Sequence, residues 1–396
     1  MTASAAPPPS LETLKDRARG LVPMLRDQAG ATEANRSVIP ETVAALHDAG
    51  LTRICQPARF GGYELSWDAP VDLGRILAAA CPSTAWLVSI VGPHSVYIGR
   101  FPLEAQEEVW ADGKGAIMAG ATVSRGGTIR RDGDGLRVEG QFGFASGVDH
   151  APWGFVISTV EDDGDAVTCL IPRHDFEIAD TWHVAGMRGT GTKDMVVKDA
   201  YVPPHLFIKT HDLVAPNPPG AAHSESELYW VEYAPFVATT LMGPVLGAAE
   251  GALAAYTEST KARIGAMFGD KPADSLSVQL RLAESAAEIR AAQVLVESQM
   301  NTLREHIATR EPVPSELQID FGRDRAFATR LCVTAVHRLV QQMGASGLYD
   351  SNPVQRFFRD LSAMSAQFGI GWDRNMAPAG RQMLGIDNGA QHFWKT

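Results

Sequence analysis

The stretch best equipped for chemistry is Phe144-Ala145-Ser146-Gly147-Val148-Asp149-His150-Ala151-Pro152-Trp153, a small-residue turn that closes a glycine-punctuated β pattern. Its serine hydroxyl and backbone N–H groups can face a flat heterocycle, and Gly147 lets the backbone come close to one. The same residues also fit a plain Ser/Asp turn with an aromatic plug beneath it. The rest of the chain narrows the chemistry. No GxGxxG follows a strand and no Walker A sequence is present; Gly189-Thr190-Gly191-Thr192 is too short to be either. No HExxH occurs, and the 11 histidines offer no pair at ligand spacing on one helix, so no catalytic metal is expected. A GxSxG elbow is missing too, which weakens a hydrolase reading. Polar loop residues around a β segment, with tryptophans nearby, suit a bound aromatic cofactor that carries the reaction.

These residues must be held by a chain of 396 residues, long enough for two or three domains. Hydrophobic residues make up 45% and charged ones 20%, the balance of a well-packed soluble globule. A formal charge of −11 leaves no basic stripe to meet phosphates, which argues against a nucleic-acid partner. Cys55, Cys81, Cys169 and Cys332 are scattered without a CxxC pair, as free buried thiols of a reducing cytoplasm would be. Residues 1–10 read as a disordered leader, having neither a basic n-region nor an apolar h-region. Val237 to Tyr256 is about long enough to span a bilayer, yet Glu250 lies inside it and Gly243, Gly247 and Gly251 share one face. A buried helix whose glycines admit a close neighbour is the better reading, so no membrane partner is expected.

Periodicity divides the chain. Residues 11–115 are expected to be helical: Leu11, Leu14, Ala18, Leu21 and Leu25 recur at helical steps, and Ile39-Pro40-Glu41 opens a helix through Gly50. Further helices are expected over 71–80, 83–91 and 102–110. Residues 116–211 turn to short β runs, with hairpin or loop signals at Gly126-Gly127, Gly133-Asp134-Gly135 and Asp162-Asp163-Gly164-Asp165. Residues 212–396 are loop-like as far as Ser224 and then helical over 227–261, 275–309, 314–347 and 353–380. Helices this long need partners along their whole extent, so a four-helix bundle and subunit packing are expected. The fold class is mainly α with a central β domain.

That order of domains, Pro57-Ala58-Arg59-Phe60-Gly61-Gly62 after a helix, and Gly186-Met187-Arg188-Gly189-Thr190-Gly191-Thr192 ahead of Val202-Pro203 resemble the acyl-CoA dehydrogenase fold. More narrowly, Pro82-Ser83-Thr84-Ala85-Trp86, Gly92-Pro93-His94, the Gly140 to Trp153 block and Phe358-Arg359-Asp360 resemble its two-component (group D) flavin-dependent monooxygenases. The likeness runs from about residue 12 to 380. It implies an N-terminal helical domain, a small β-barrel domain and a C-terminal four-helix bundle.

The resemblance also implies an oxygenase component served by a separate NAD(P)H-dependent flavin reductase. Reduced flavin (FMNH2 or FADH2) would meet molecular oxygen at C4a and pass one oxygen atom to a small aromatic or polycyclic substrate. A cytoplasmic homotetramer goes with that family. Trp86, Ser146, Thr190 and Thr192 would contact the flavin, with the Ser146 hydroxyl near N5 steadying a C4a-(hydro)peroxide. Arg263 would meet a flavin phosphate, which needs a planar cationic donor. His94, His150 and Trp372 would face the substrate, and His94, Ser146 and Gln367 would form the catalytic set.

Two departures qualify the likeness. Acyl-CoA dehydrogenases carry a glutamate base in a Tyr-Glu-Gly-Thr segment, whereas this chain has Gly369-Ile370-Gly371-Trp372-Asp373 in that region and no acid that aligns. An acyl-CoA dehydrogenase therefore stands only as an alternative. The monooxygenases commonly carry a histidine seven positions after the aspartate of the Arg-Asp pair; from Asp360 that position is Gln367. An amide cannot exchange a proton near neutral pH. Either the substrate needs no base there, or His94 or His392 takes over, or the flavin stays as the peroxide. Flavin-dependent N-hydroxylation of an amine or amino sugar is one chemistry that dispenses with such a base. A non-catalytic helical scaffold would bind no flavin.

Overall fold

The computed structural model describes residues 8–111, 117–262 and 271–388; Arg263 and His392 lie outside them. Packing gathers the chain into two compact units. One holds the residues up to Leu73, Trp86–His183 and Arg188–Tyr233; the other holds Gly74–Ala85, Val184–Met187 and the residues from Ala234 on.

In the first unit the opening helix, Leu11–Asn35, is capped by the Ser10 hydroxyl, which accepts the Thr13 N–H at 3.2 Å. Its buried stripe, Leu14, Ala18, Leu25, Ala29 and Thr32, follows the helical period. Pro40 starts the next helix, Pro40–Asp48, because its fixed φ suits the first turn and its missing N–H costs nothing there. The β residues form two sheets. One has the order Met118–Ala121, Trp153–Thr159, Ala166–Pro172, Phe207–Lys209, with a parallel first pair and antiparallel remainder. The other runs Val123–Ser124, Gly135–Ala145, Lys193–Val202, Phe176–Ala179, and Thr128–Asp132 also pairs with Gly135–Ala145. The expected hairpin at Gly133-Asp134 closes that last pair, with Asp132 opposite Gly135. Phe142, Val138, Leu136 and Ile129 are completely buried and fill the space under this sheet.

The helix expected over 227–261 is three, Glu227–Trp230, Tyr233–Thr240 and Met242–Ala262, and three further expected elements come out differently, each for a local reason. The helix over 83–91 is α-helical at Pro82–Trp86 and then widens to a π-turn at Leu87–Val91, where the Gly92 N–H reaches back to the Leu87 carbonyl at 2.8 Å. Pro93 follows and has no N–H to continue an α ladder. The loop from Asp212 contains the short helix Thr210–Val214 and a tight turn at Pro219–His223. It is stapled by Arg100, whose fully buried guanidinium donates to the carbonyls of Leu213, Ala215, Leu228, Tyr229 and Val231 at 2.5–3.3 Å. Loss of hydration lowers that guanidinium to about 10, so it stays charged at neutral pH. The helix expected over 353–380 is two, Pro353–Met364 and Trp372–Met383, because glycines 369 and 371 and a Gln367 side-chain bond favour a turn between them.

The second unit is built on the long helices Met242–Ala262, Leu276–Thr309 and Ser315–Met343. The apolar Tyr233–Ala262 stretch is the one described helix long and apolar enough to cross a membrane, and 83% of that window is buried in protein. Its glycines do what their spacing predicts. A Cβ on Gly247 would sit 2.1 Å from the Arg75 carbonyl oxygen, and one on Gly251 would sit 2.6 Å from that of Ala79. Glu250 is not stranded in this apolar run, since Arg75 meets its carboxylate at 2.6 Å. All four cysteines are free and buried, and burial pushes the thiols up.

Candidate active site

The serine that closes the β pattern is placed by backbone geometry and is buried. The strand Gly135–Ala145 slips register between Phe142 and Ala145, and Phe144 in that bulge has φ of 68°. Gly147 follows at φ of 71° and donates its N–H to the Thr190 carbonyl at 3.0 Å. This bond ties the strand end to the turn Arg188–Thr190. Gly191 completes the tie at φ of 58°, where a Cβ would be strained and would lie 2.8 Å from Asp149 Oδ2, so glycine is favoured. Lys193 and Asp149 clasp the same corner through an ion pair of 2.8 Å.

The result is a buried chain of polar side chains. Trp86 Nε1 donates to Ser146 Oγ at 3.2 Å, Ser146 Oγ lies 2.9 Å from Thr192 Oγ1, and Thr192 Oγ1 lies 2.6 Å from Thr190 Oγ1. An indole can only donate, so Ser146 must accept on that side. If the threonines donate toward Ser146, its own hydrogen is left for a ligand. If Ser146 donates to Thr192, it offers a ligand a lone pair instead. The hydroxyl can therefore serve either a donor or an acceptor without moving its oxygen.

His94 opens the helix His94–Gly99 and points a ring nitrogen, Nδ1, at the Met118 carbonyl 2.6 Å away. A carbonyl only accepts, so the proton sits on Nδ1 and Nε2 is a bare acceptor. Burial pulls the ring down to about 4, outweighing the raising effect of that hydrogen bond, so the histidine is neutral at pH 7. Its ring meets Phe155 edge-on at 5.0 Å, and Phe155 stacks on Tyr97 at 4.9 Å. The imidazole is thus fixed in one orientation. His150 is also lowered by burial, and its Nε2 lies 2.8 Å from the Val38 carbonyl and 3.2 Å from Ser37 Oγ. Those contacts fasten the 148–150 turn to the residues after the first helix.

Sequence reasoning thus named four residues that the structure joins, Trp86, Ser146, Thr190 and Thr192. His94 and His150 lie in the same unit with separate partners. Gln367 and Trp372 belong to the second unit. There Gln367 Oε1 accepts the Gly369 N–H at 2.6 Å, and the Arg330 guanidinium covers the Trp372 ring at 4.2 Å. Sequence reasoning missed Tyr97, Arg100 and Phe155, whose only signal was an apolar or helical context.

The architecture is shared with known proteins. Residues 239–370 match the acyl-CoA dehydrogenase C-terminal domain. The crystal structure of a 3-HSA hydroxylase from Rhodococcus sp. RHA1 superposes with a TM-score of 0.89 at 31% identity, covering 95% of this chain and 97% of that one. The fold is therefore the acyl-CoA dehydrogenase-like one, with mostly helical secondary structure. The oxygenase subunit HsaA of a flavin-dependent monooxygenase from Mycobacterium tuberculosis is 36% identical over 347 residues, 87% of this chain and 88% of the relative. The oxygenase component of an FADH(2)-dependent resorcinol hydroxylase from Rhizobium sp. is 31% identical over 392 residues, 96% of each. The chain belongs to the oxygenase components of the flavin-dependent monooxygenases. It is an enzyme that works with reduced flavin and oxygen, and a separate reductase is the partner that such a component requires.

Proposed function

We propose that this oxygenase hydroxylates a small phenolic or polycyclic aromatic substrate, with Trp86, Ser146, Thr190 and Thr192 on the flavin and His94 on the substrate. The observation that carries the reading is the two-way Ser146 hydroxyl, held by Trp86 and Thr192 at the end of a bulged strand. Flavin N5 bears a hydrogen when reduced and a lone pair when oxidised, and a hydroxyl able to turn either way suits both. Gly147 turns the backbone at a positive φ, with the Ile117, Leu87 and Val91 side chains packed 3.6–3.7 Å from where a Cβ would stand.

The bound reduced flavin supplies the electrons that activate oxygen. The chain's own residues orient, exclude water and place hydrogen bonds. Trp86, by donating to Ser146 Oγ, would hold that hydroxyl in place for the flavin. His94 Nε2, neutral and fixed, accepts the hydrogen of a substrate hydroxyl and so orients a neutral phenol. Burial of these groups keeps water away, which limits loss of oxidising equivalents as hydrogen peroxide. Gln367 serves its own loop, and neither it nor His150 carries a proton in this reading. Arg263 is the cation we assign to the flavin phosphate, and Trp372 to the substrate side. Names of relatives that act on aromatic compounds support this substrate class, and one relative's FADH2 dependence favours FADH2 over FMNH2.

The domain layout that accompanies this reading is a leader to residue 10, a helical domain over 11–115, a β-barrel domain over 116–211 and a four-helix bundle over 212–396. The enzyme is a cytoplasmic homotetramer whose reductase draws on NAD(P)H. Leu276, Leu348, Tyr349, Met383 and Leu384 are 68–80% exposed on the second unit, apolar side chains that packing between copies of the chain would cover. Incubation with a flavin reductase, NADH, FAD and a panel of phenols under oxygen-18 gas tests the function. One labelled atom per hydroxylated product supports it; peroxide as the sole product with every phenol contradicts it.

A further inference from the structure

The Arg359-Asp360 pair has no part in the site described above, yet it grips a strained piece of backbone. Asp360 is 4% exposed, and its Oδ1 accepts the Met187 N–H at 2.6 Å. Met187 has φ of 55°, a left-handed conformation that an ordinary side chain adopts only when its surroundings enforce it. Gly186, just before it, lies so close to the helix Pro353–Met364 that a Cβ would stand 2.0 Å from the Arg359 carbonyl oxygen. Arg359 Nη1 donates to the Ala185 carbonyl at 2.9 Å, and its Nε donates to Gln355 Oε1 at 2.6 Å. Two consecutive helix residues therefore hold three consecutive loop residues, all within the second unit. After Met187 the chain runs directly into Arg188-Gly189-Thr190-Gly191-Thr192.

We propose that Arg359 and Asp360 are positioning residues that clamp residues 185–187 in their strained conformation and so fix the backbone from which the hydroxyl-bearing turn departs. This rests on the reading of Ser146 as the flavin-side hydroxyl. A strained residue costs free energy, and its position just ahead of the two hydroxyls of the proposed site is the pattern expected where backbone geometry serves a site. The carboxylate acts here as a hydrogen-bond acceptor of fixed position.

Two substitutions separate its position from its charge. Asp360→Asn keeps an acceptor oxygen in place and removes the charge, while Asp360→Glu keeps the charge and moves the oxygen by one methylene. Hydrogen exchange of the peptide spanning residues 186–193, followed by mass spectrometry without flavin, reads the clamp itself. Peroxide released per product reads its service to the reaction. D360N is expected to stay within about twofold of wild type in both. D360E is expected to speed exchange about tenfold and to raise the peroxide ratio several-fold, with substrate KM unchanged. Should D360E fail to fold, R359A is expected to shift both readouts in the same direction, less far. D360N behaving like D360E would overturn the acceptor role, and faster exchange with an unchanged peroxide ratio would overturn the positioning role. A wild-type protein that makes no product at all would sink the functional reading, while the exchange data would still decide whether the clamp exists.

Discussion

Trp86 donates its indole hydrogen to the Ser146 hydroxyl across 3.2 Å, joining the residue that ends an α-helix to the one that follows a β-strand. Both side chains are largely buried, at 8% and 9% exposure. Because the indole cannot accept, one side of Ser146 is committed, and Thr192 Oγ1 meets it on another at 2.9 Å. Trp86→Phe keeps an aromatic ring and deletes the donor. The expected cost is about 1 kcal/mol of stability and a rise in peroxide released per product. Thermal melting and a peroxide assay check both, and an unchanged peroxide ratio would contradict the role given to Trp86.

Ser146 and Thr192 act as one unit in this account, so their substitutions should not add. Ser146→Ala or Thr192→Val alone is expected to raise peroxide release several-fold, and the double variant is expected to leak little more than either. A double-mutant cycle on the peroxide ratio reads this directly, and full additivity would show that the two hydroxyls work separately.

His94 gives a pH signature. Its folded value, about 4, lies below the ordinary histidine value of 6.5, so the unfolded chain binds the extra proton first as pH falls. The stability that neutral His94 contributes is present above about pH 6.5 and is lost as pH falls toward 4. Each tenfold difference in proton affinity between the two states is worth about 1.4 kcal/mol, so the loss is at most on the order of 3 kcal/mol. Denaturant melts of wild type and His94→Gln between pH 7 and 4 should converge at the acid end; parallel curves would contradict a neutral buried imidazole.

Gln367 distinguishes a loop cap from a proton carrier. Gln367→Glu preserves the oxygen that takes the Gly369 N–H and should keep activity within a few-fold. Gln367→Leu removes that acceptor, leaves the amide unpaired and should cost about 1–2 kcal/mol. Gln367→His should give no gain in phenol hydroxylation. A large gain would show that the native reaction differs from the one proposed.

Arg100 sets the shape of the segment from Thr210 to Val231. Arg100→Met would leave five carbonyls in the interior without their shared donor, and about 3 kcal/mol or more of stability should be lost. Proteolysis near Pro216 to Pro219 should quicken first, which limited digestion and mass spectrometry would locate.

Much of this molecule was legible in its sequence because local rules agreed with the packing. Helical spacing from Leu11 on, Pro40 as a first-turn residue, the close approach at Gly247 and Gly251 and the Gly133-Asp134 turn all emerged as read. The Ser146 and Thr192 hydroxyls were legible as a pair only through a resemblance, since 46 residues separate them and no periodicity joins them. Arg100 was not legible at all. Its partners are backbone carbonyls, which every residue possesses, and no pattern of side chains marks them. The π-turn after Trp86 was hidden for a similar reason, because Leu87–Val91 also satisfies an ordinary helix until Pro93 is weighed. Gln367 stood out as a departure from a family habit, but the bond to Gly369 depends on a turn that composition does not reveal.

The most direct test of the central claim is rapid mixing of the protein and photoreduced FAD with oxygenated buffer, followed by absorbance. The account predicts a transient, distinct from both reduced and oxidised flavin, that outlasts the reoxidation of free FADH2 and shortens in Ser146→Ala. Reoxidation at the rate of free flavin, with no transient in wild type, would contradict it.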